Sequence, residues 1–159
     1  IAPAGFGKVQ TSIPFFMKIP GVIEWAMHVL ADRFYGSAIS SETAHSNDPL
    51  SINEEEFQQL FSFQMQFKGF RESLASTMRN FNLFDAREMF EKVAAKNIPS
   101  IAIWGDNDGI VSYKGAETYS EIFQEGKVIT IEDGTHDITY RQPSDVLEAI
   151  KIFLASQIS

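Results

Sequence analysis

The sequence contains no cysteine among its 159 residues. This absence excludes disulfide bonds, thiolate metal sites and a cysteine nucleophile, and it leaves the compartment open, with a cytoplasmic location favoured. Histidine is also scarce, because only His28, His45 and His136 occur and they lie far apart in the sequence. Glycine-rich loops of the kind that bind nucleotide phosphates are missing. We therefore expect no metal ion and no cofactor.

Basic residues are fewer than acidic ones: the chain has 13 Lys and Arg residues and 21 Asp and Glu residues, which gives a formal net charge of -8. A chain this acidic repels the phosphates of nucleic acids and of anionic lipids, so neither is an expected partner. Long hydrophobic runs are lacking as well, and the apolar stretches end before the roughly 18 residues that a membrane span needs. Hydrophobic residues still make up 44% of the chain, which is the composition of a globular protein.

Residues 20–97 carry helical patterns and no clear strand. The first pattern, residues 22–35, is apolar nearly all round, which is typical of a helix that is buried or that covers an apolar cavity. The spacing of Ser51 and Glu54 predicts a capping box, and the helix that it opens is expected to end at Gly69. Two further helices are predicted, at residues 70–81 and 85–97. Their Phe and Met side chains suit either a packed core or an adaptable apolar binding wall.

The periodicity changes after Pro99. Residues 101–104 form a short apolar run of the kind found in buried strands, and residues 128–131 form a second run that is rich in β-branched side chains. A helical pattern at residues 113–123 lies between them, and Pro143 is placed to open a last helix. This alternation predicts a parallel sheet with helices packed against it.

Two strands do not make a stable parallel sheet on their own, because each needs paired neighbours and helices on both faces. The first residues, Ile1 to Ala4, look like the tail of one more strand and are not preceded by an initiator Met. We therefore expect the chain to be a piece of a longer polypeptide. Its expected partner is the missing N-terminal half of the same fold, which would supply the remaining strands.

Two residues able to take part in proton transfer follow the predicted strands. Asp108 comes after the first strand and His136 after the second, and the carboxyl ends of neighbouring parallel strands share one edge of a sheet. An imidazole can accept and return a proton near neutral pH, and a carboxylate can hold its Nδ1–H. Taken singly, each residue fits an ordinary loop better than a catalytic site. Asp106 competes with Asp108 for the role of the acid, and Asp137 is a weaker competitor.

Taken together, these segments resemble the end of an α/β-hydrolase. The matching residues are Ile-Pro-Ser-Ile-Ala-Ile-Trp-Gly-Asp-Asn-Asp-Gly-Ile-Val at 98–111, Gly-Thr-His at 134–136 and Gln142-Pro143 at the start of the last helix. The family's order of Ser, then Asp, then His implies that Asp108 is the acid and His136 the base of a catalytic triad. No metal or cofactor residues are implied by this resemblance.

The same resemblance implies an incomplete α/β-hydrolase fold, consisting of the last parallel strands and helices with an inserted all-helical lid. Residues 1–9 would be the tail of a core strand, residues 10–97 the helical lid, and residues 98–159 the C-terminal part of the core. The family's Gly-x-Ser-x-Gly nucleophile elbow does not occur in the sequence. We therefore expect the chain to be inactive by itself.

The function implied is that of a serine α/β-hydrolase fragment that acts on an ester or similar acyl compound. A small and largely apolar substrate is expected from the composition of the predicted lid. An epoxide hydrolase or dehalogenase with an Asp nucleophile is the first alternative. A carbon–carbon hydrolase or lyase is also possible, and the sequence does not distinguish it from these. A non-catalytic hydrolase-like binding protein and an independent small α/β domain also remain open.

Overall fold

The structure of the chain is a computed structural model that describes residues 1–6, 19, 21–23, 25–26, 29, 47–80 and 85–158. These residues fall into two compact units. The first unit takes in the described parts of Ile1–Val9, Ala44–Ser51 and Phe84–Ser159, and the second takes in those of Gln10–Thr43 and Ile52–Leu83. Both parallel strands and both candidate site residues belong to the first unit.

The regular elements in the described part of the second unit are helices. Helix α1 (Glu54–Gln64) and helix α2 (Phe70–Asn80) follow one another, and Gly69 between them has a φ of 86° that glycine adopts without steric cost. The described residues of the predicted helix at 22–35 are helical, and its remaining residues lie outside the described part of the chain. Ile23 and Ala75 form a small buried cluster, whereas α1 buries none of its residues.

A capping box opens α1 two residues later than the sequence predicts. The N-cap is Asn53, whose side-chain oxygen accepts the Glu56 N–H at 2.9 Å while the Glu56 carboxylate accepts the Asn53 N–H at 3.0 Å. The prediction of Ser51 and Glu54 is wrong, because the segment contains two capping residues that each have a Glu three positions on. Asn and Ser cap helices about equally well, so the sequence spacing alone does not choose between them.

The first unit alternates helices and strands. Its elements are α3 (Arg87–Ala94), β1 (Ile101–Gly105), α4 (Gly115–Ile122), β2 (Lys127–Ile131), α5 (Ile138–Arg141) and α6 (Pro143–Ser156). The strands β1 and β2 pair in parallel, with Ile101 opposite Lys127 and Gly105 opposite Ile131. The predicted parallel pair with a helix between its strands is therefore confirmed, and so is Pro143 in the first turn of the last helix.

Successive side chains of β1 point to opposite faces of the sheet, and both faces are covered. One face carries the Trp104 cluster, which consists of Ala2, Phe6, Ala102, Trp104, Ala116, Tyr119 and Phe123. The other face carries the Ile103 cluster, which consists of Ile103, Ile131, Ile138, Val146 and Ala149. The helix α4 contributes to the first cluster and α6 to the second, so the sheet has helices on either side, as parallel sheets require.

The first six residues lie against the sheet unit. The Ala2 N–H donates a hydrogen bond to the Ile103 carbonyl at 2.8 Å, and the Phe6 ring stacks on Phe90 of α3 with 4.0 Å between ring centroids. These residues are not a regular strand, since Ala2 has a φ of 35°. Because α3 belongs to the same unit as the sheet, the boundary between the compact units is not at residue 97. The assignment of a lid stays a prediction.

Candidate active site

The backbone turns that follow β1 and β2 are bonded to each other. We call residues 105–111 the acid turn and residues 132–137 the base turn. The Asp106 N–H donates to the Ile131 carbonyl at 3.2 Å, and the Asn107 N–H donates to the Gly134 carbonyl at 2.9 Å. A Cβ atom on Gly134 would lie 2.8 Å from the Cα of Gly105, so the two turns meet where neither residue has a side chain. The two turns therefore form one connected rim at the carboxyl end of the sheet.

Asp108 has its carboxylate fully enclosed, with a side-chain exposure of 0%. Its Oδ1 atom accepts hydrogen bonds from the Ile110 N–H at 2.9 Å and the Val111 N–H at 2.7 Å. Its Oδ2 atom lies 2.9 Å from Nδ1 of His136. Buried carboxylates are costly unless they are hydrogen-bonded, and here both oxygens have partners. The orientation of the carboxylate is consequently fixed with one oxygen directed at the imidazole.

His136 lies between the protein interior and solvent, with 36% of its side chain exposed. When Nδ1 carries the proton and donates it to Asp108, the neutral ring has its basic lone pair on Nε2. Protonation of Nε2 then gives an imidazolium that the buried carboxylate stabilises. The pair can therefore accept a proton from a neighbouring hydroxyl and return it to a leaving group. The two predicted site residues are brought together, although their catalytic role stays a prediction.

The two competing carboxylates are placed differently. Asp106 lies at the surface of the acid turn, and its side chain is exposed. Asp137 accepts a hydrogen bond from Nε of Arg141 at 3.0 Å and another from the Thr135 hydroxyl. Asp137 is adjacent to His136 in the sequence, but its carboxylate is bonded to these two groups. The carboxylate oxygen that faces Nδ1 of His136 is not that of Asp137. The geometry selects Asp108 as the partner of His136.

Trp104 and Asp48, which the sequence does not assign to the site, also support it. The indole N–H of Trp104 donates to the Val111 carbonyl at 2.9 Å, and Trp104 is one of the largest fully buried side chains. Asp48 reaches the first turn of α6, where its carboxylate accepts the Ser144 N–H at 2.7 Å and the Ser144 hydroxyl at 2.8 Å. Trp104 belongs to the apolar run of β1, but nothing in the sequence predicts its bond to Val111. Nothing in the sequence relates Asp48 to a residue 96 positions away.

The carboxyl group of Asp48 is held in its charged form by these contacts. Burial by itself raises its pKa, but hydrogen bonds from the Leu50 N–H, the Ser144 N–H and the Ser144 hydroxyl outweigh burial and leave the pKa below its ordinary value. A carboxylate at the first turn of a helix also interacts favourably with the positive end of the helix dipole. Asp48 therefore holds the start of α6, the helix that follows α5.

The described residues offer little to a metal ion. Within them, no three His, Cys, Asp or Glu side chains are grouped so that they could hold one. His28 and His45 lie outside the described residues, so the structure gives no account of them. Among the described helices, none has the length and apolar character that crossing a membrane would require.

Comparison with known proteins bears on the fold. No protein-family model matches the sequence, and no curated protein matches it. Among solved structures, the chain is similar to a bromoperoxidase from Bacillus anthracis, with a TM-score of 0.58 and 22% sequence identity over 84% of this chain and 48% of that chain. The chain thus spans about half the length of that structure. The bromoperoxidase is an enzyme of the α/β-hydrolase fold, and the likeness shows that the mixed α/β architecture of this chain is of that kind.

Proposed function

We propose that the chain supplies the acid and the base of a serine α/β-hydrolase that cleaves an ester or similar acyl substrate. The observation that carries the proposal is the 2.9 Å contact between Oδ2 of Asp108 and Nδ1 of His136, made by a carboxylate with no solvent exposure. An enclosed acid behind a half-exposed imidazole is the arrangement that a nucleophilic hydroxyl requires for activation.

The proton transfers follow from that arrangement. Nε2 of His136 removes the proton from a serine hydroxyl as the serine oxygen attacks the substrate carbonyl, and the resulting imidazolium is stabilised by Asp108. The imidazolium then gives this proton to the leaving alkoxide, which departs as an alcohol and leaves an acyl-enzyme. His136 next removes a proton from water, which attacks the ester, and returns it to the serine oxygen. Asp108 stays ionised throughout.

The proposal assigns the serine to another part of the fold, since the sequence lacks the Gly-x-Ser-x-Gly elbow. That part is the N-terminal half, which would also complete the sheet. Its assignment is supported by the two-stranded sheet of the described residues and by the 48% share of the bromoperoxidase that the chain matches. We further propose that the helices of the second unit act as a lid and that the substrate is small and largely apolar.

The decisive experiment uses the polypeptide that joins this chain to its nucleophile-bearing half. With p-nitrophenyl acetate, we expect a burst of one equivalent of p-nitrophenolate and an acetyl group on a serine, detected by mass spectrometry. His136→Ala should abolish the burst. A folded polypeptide that shows neither burst nor turnover would overturn the proposal. An Asp nucleophile would instead incorporate labelled oxygen from water into its own carboxylate during turnover of a haloalkane or epoxide.

A further inference from the structure

We propose that Trp104 is a positioning residue for the acid–base pair, acting through Val111 on Asp108. The expected effect on catalysis rests on the proposed function. The hydrogen bonds from which the inference is argued all lie within this chain. The hydrogen bonds place the tryptophan on the Asp108 side of the pair. Its indole N–H instead fixes the backbone residue whose own N–H holds the carboxylate of Asp108.

The connection runs through three hydrogen bonds in series. Trp104 Nε1 donates to the Val111 carbonyl at 2.9 Å, the Val111 N–H donates to Asp108 Oδ1 at 2.7 Å, and Asp108 Oδ2 lies 2.9 Å from His136 Nδ1. The Ile110 N–H adds a second donor to Oδ1 at 2.9 Å. Each link is within the distance of an ordinary hydrogen bond. The carboxylate is thus held on one oxygen by the acid turn and on the other by the imidazole.

The acid turn needs an attachment of this kind, because both donors to Oδ1 belong to the turn itself. A carboxylate that is bonded only to its own turn moves whenever the turn moves, and it then takes the imidazole with it. The indole N–H attaches Val111, at the far end of the turn, to the last buried side chain of β1. The Asn107 N–H attaches the near end to the base turn at Gly134. Between these two attachments, the position of Asp108 is determined.

The indole is closely packed. Its exposure is 0%, and it is surrounded by the Trp104 cluster on one face of the sheet. A Cβ atom on Gly115, the first residue of α4, would lie 2.8 Å from the indole Cζ2 atom, so this helix begins directly against the ring. Close packing leaves buried side chains little freedom to change rotamer. The N–H therefore projects from a fixed point toward the Val111 carbonyl.

The test removes the N–H and keeps the shape. Benzothienylalanine, in which sulfur replaces the indole N–H, is placed at position 104 by nonsense suppression, and the same replacement at the exposed Trp25 is the matched control. The first readout is the low-field proton resonance of His136 Nδ1–H in the polypeptide that joins this chain to its nucleophile-bearing half. We expect this resonance to broaden or disappear with the analogue at 104 and to persist with the analogue at 25. In the polypeptide that carries the serine, kcat should fall by between about 10- and 100-fold with KM little changed.

A resonance that survives the replacement at 104, or that is lost equally with the replacement at 25, would overturn the inference. If the polypeptide with the analogue at 104 does not fold, hydrogen exchange is measured in the unmodified polypeptide instead. The Trp104 Nε1–H, the Val111 N–H and the His136 Nδ1–H should then exchange with one common opening free energy, and independent exchange would overturn the inference. A polypeptide without esterase activity in any form would refute the proposed function and leave the resonance comparison standing.

Discussion

Gly105 and Gly134 touch through their backbones, so that a Cβ atom on either would lie less than 3 Å from the Cα of the other. The contact joins the end of β1 to the turn that carries His136. Together with the Asn107 N–H to Gly134 carbonyl bond of 2.9 Å, it sets the separation between the acid turn and the base turn. Two residues without side chains therefore control how closely Asp108 approaches His136.

Gly105→Ala tests this contact. The added Cβ meets the backbone of Gly134 and no flexible side chain that could move aside, so we expect the free energy of unfolding to fall by about 2–3 kcal/mol. Urea denaturation followed by circular dichroism measures the change. Gly69→Ala is the control, because no atom lies within 4 Å of its added Cβ and only the φ of 86° is unfavourable, at a cost of about 1 kcal/mol. Equal losses in both variants would contradict the role of the contact.

Asp108→Asn tests the assignment of the acid. The amide occupies the same space but no longer stabilises the imidazolium and favours the wrong tautomer of His136, so kcat for ester hydrolysis should fall by about 10³- to 10⁴-fold. The measurement requires the polypeptide that carries the serine. Asp106→Asn removes the same charge from the exposed side of the same turn and should leave kcat within about twofold. Near-normal turnover of Asp108→Asn would remove the assignment.

Asp48→Ala tests the attachment at the start of α6. The Ser144 N–H and hydroxyl lose their acceptor, so the midpoint of thermal unfolding should fall at neutral pH. Because the pKa of Asp48 lies below its ordinary value in the folded chain, the stabilisation is present above the ordinary pKa and is lost as the pH falls through the folded-state pKa. The difference in midpoint between Asp48→Ala and the unaltered chain should therefore narrow as the pH is lowered.

Ser144→Ala is the control for this comparison. It removes the hydroxyl bond and keeps the bond from the Ser144 N–H, so its midpoint should lie between those of the unaltered chain and Asp48→Ala. Circular dichroism melts at a series of pH values give all three midpoints. A difference that stays constant down to strongly acidic pH would show that the carboxylate form of Asp48 does not stabilise α6.

Tyr119→Phe tests a buried hydrogen bond on the Trp104 face of the sheet. Tyr119 is 4% exposed, and its hydroxyl donates to Oγ of Ser100 at 2.8 Å. We expect its removal to lower the free energy of unfolding by about 1 kcal/mol. A double-mutant cycle with Ser100→Ala isolates the bond, and a coupling energy near zero would show that it contributes nothing. Tyr113→Phe, which removes an exposed bond to Thr130, should have the smaller effect.

The strands and the site pair follow from local patterns in the sequence. The apolar runs of β1 and β2 each end at a turn that contains glycine, and parallel pairing brings the ends of such runs to one edge. These features predict that Asp108 and His136 meet. The same patterns do not separate Asp108 from Asp106, because that choice depends on which carboxylate is enclosed and bonded to the Ile110 and Val111 amides.

Other contacts had no signal that local reasoning could detect. The bond between Asp48 and Ser144 joins residues 96 positions apart, and neither the spacing nor the composition of the segments between them relates the two. The indole bond of Trp104 depends on the path of the backbone at Val111, which periodicity does not specify. The short helix α5 (Ile138–Arg141) is also absent from the sequence pattern, since four residues are too few to show a helical period.

Because side chains alternate between the two faces of the sheet along β1, the packing of both faces depends on the number of residues in that strand. Inserting one residue between Ala102 and Ile103 would exchange the faces of the residues that follow, turning the indole toward α6 and Ile103 toward α4. The aromatic ring would leave the cluster that encloses it, and the acid turn would begin one position late. Related sequences should therefore tolerate exchange of residues in this strand far better than insertion or deletion.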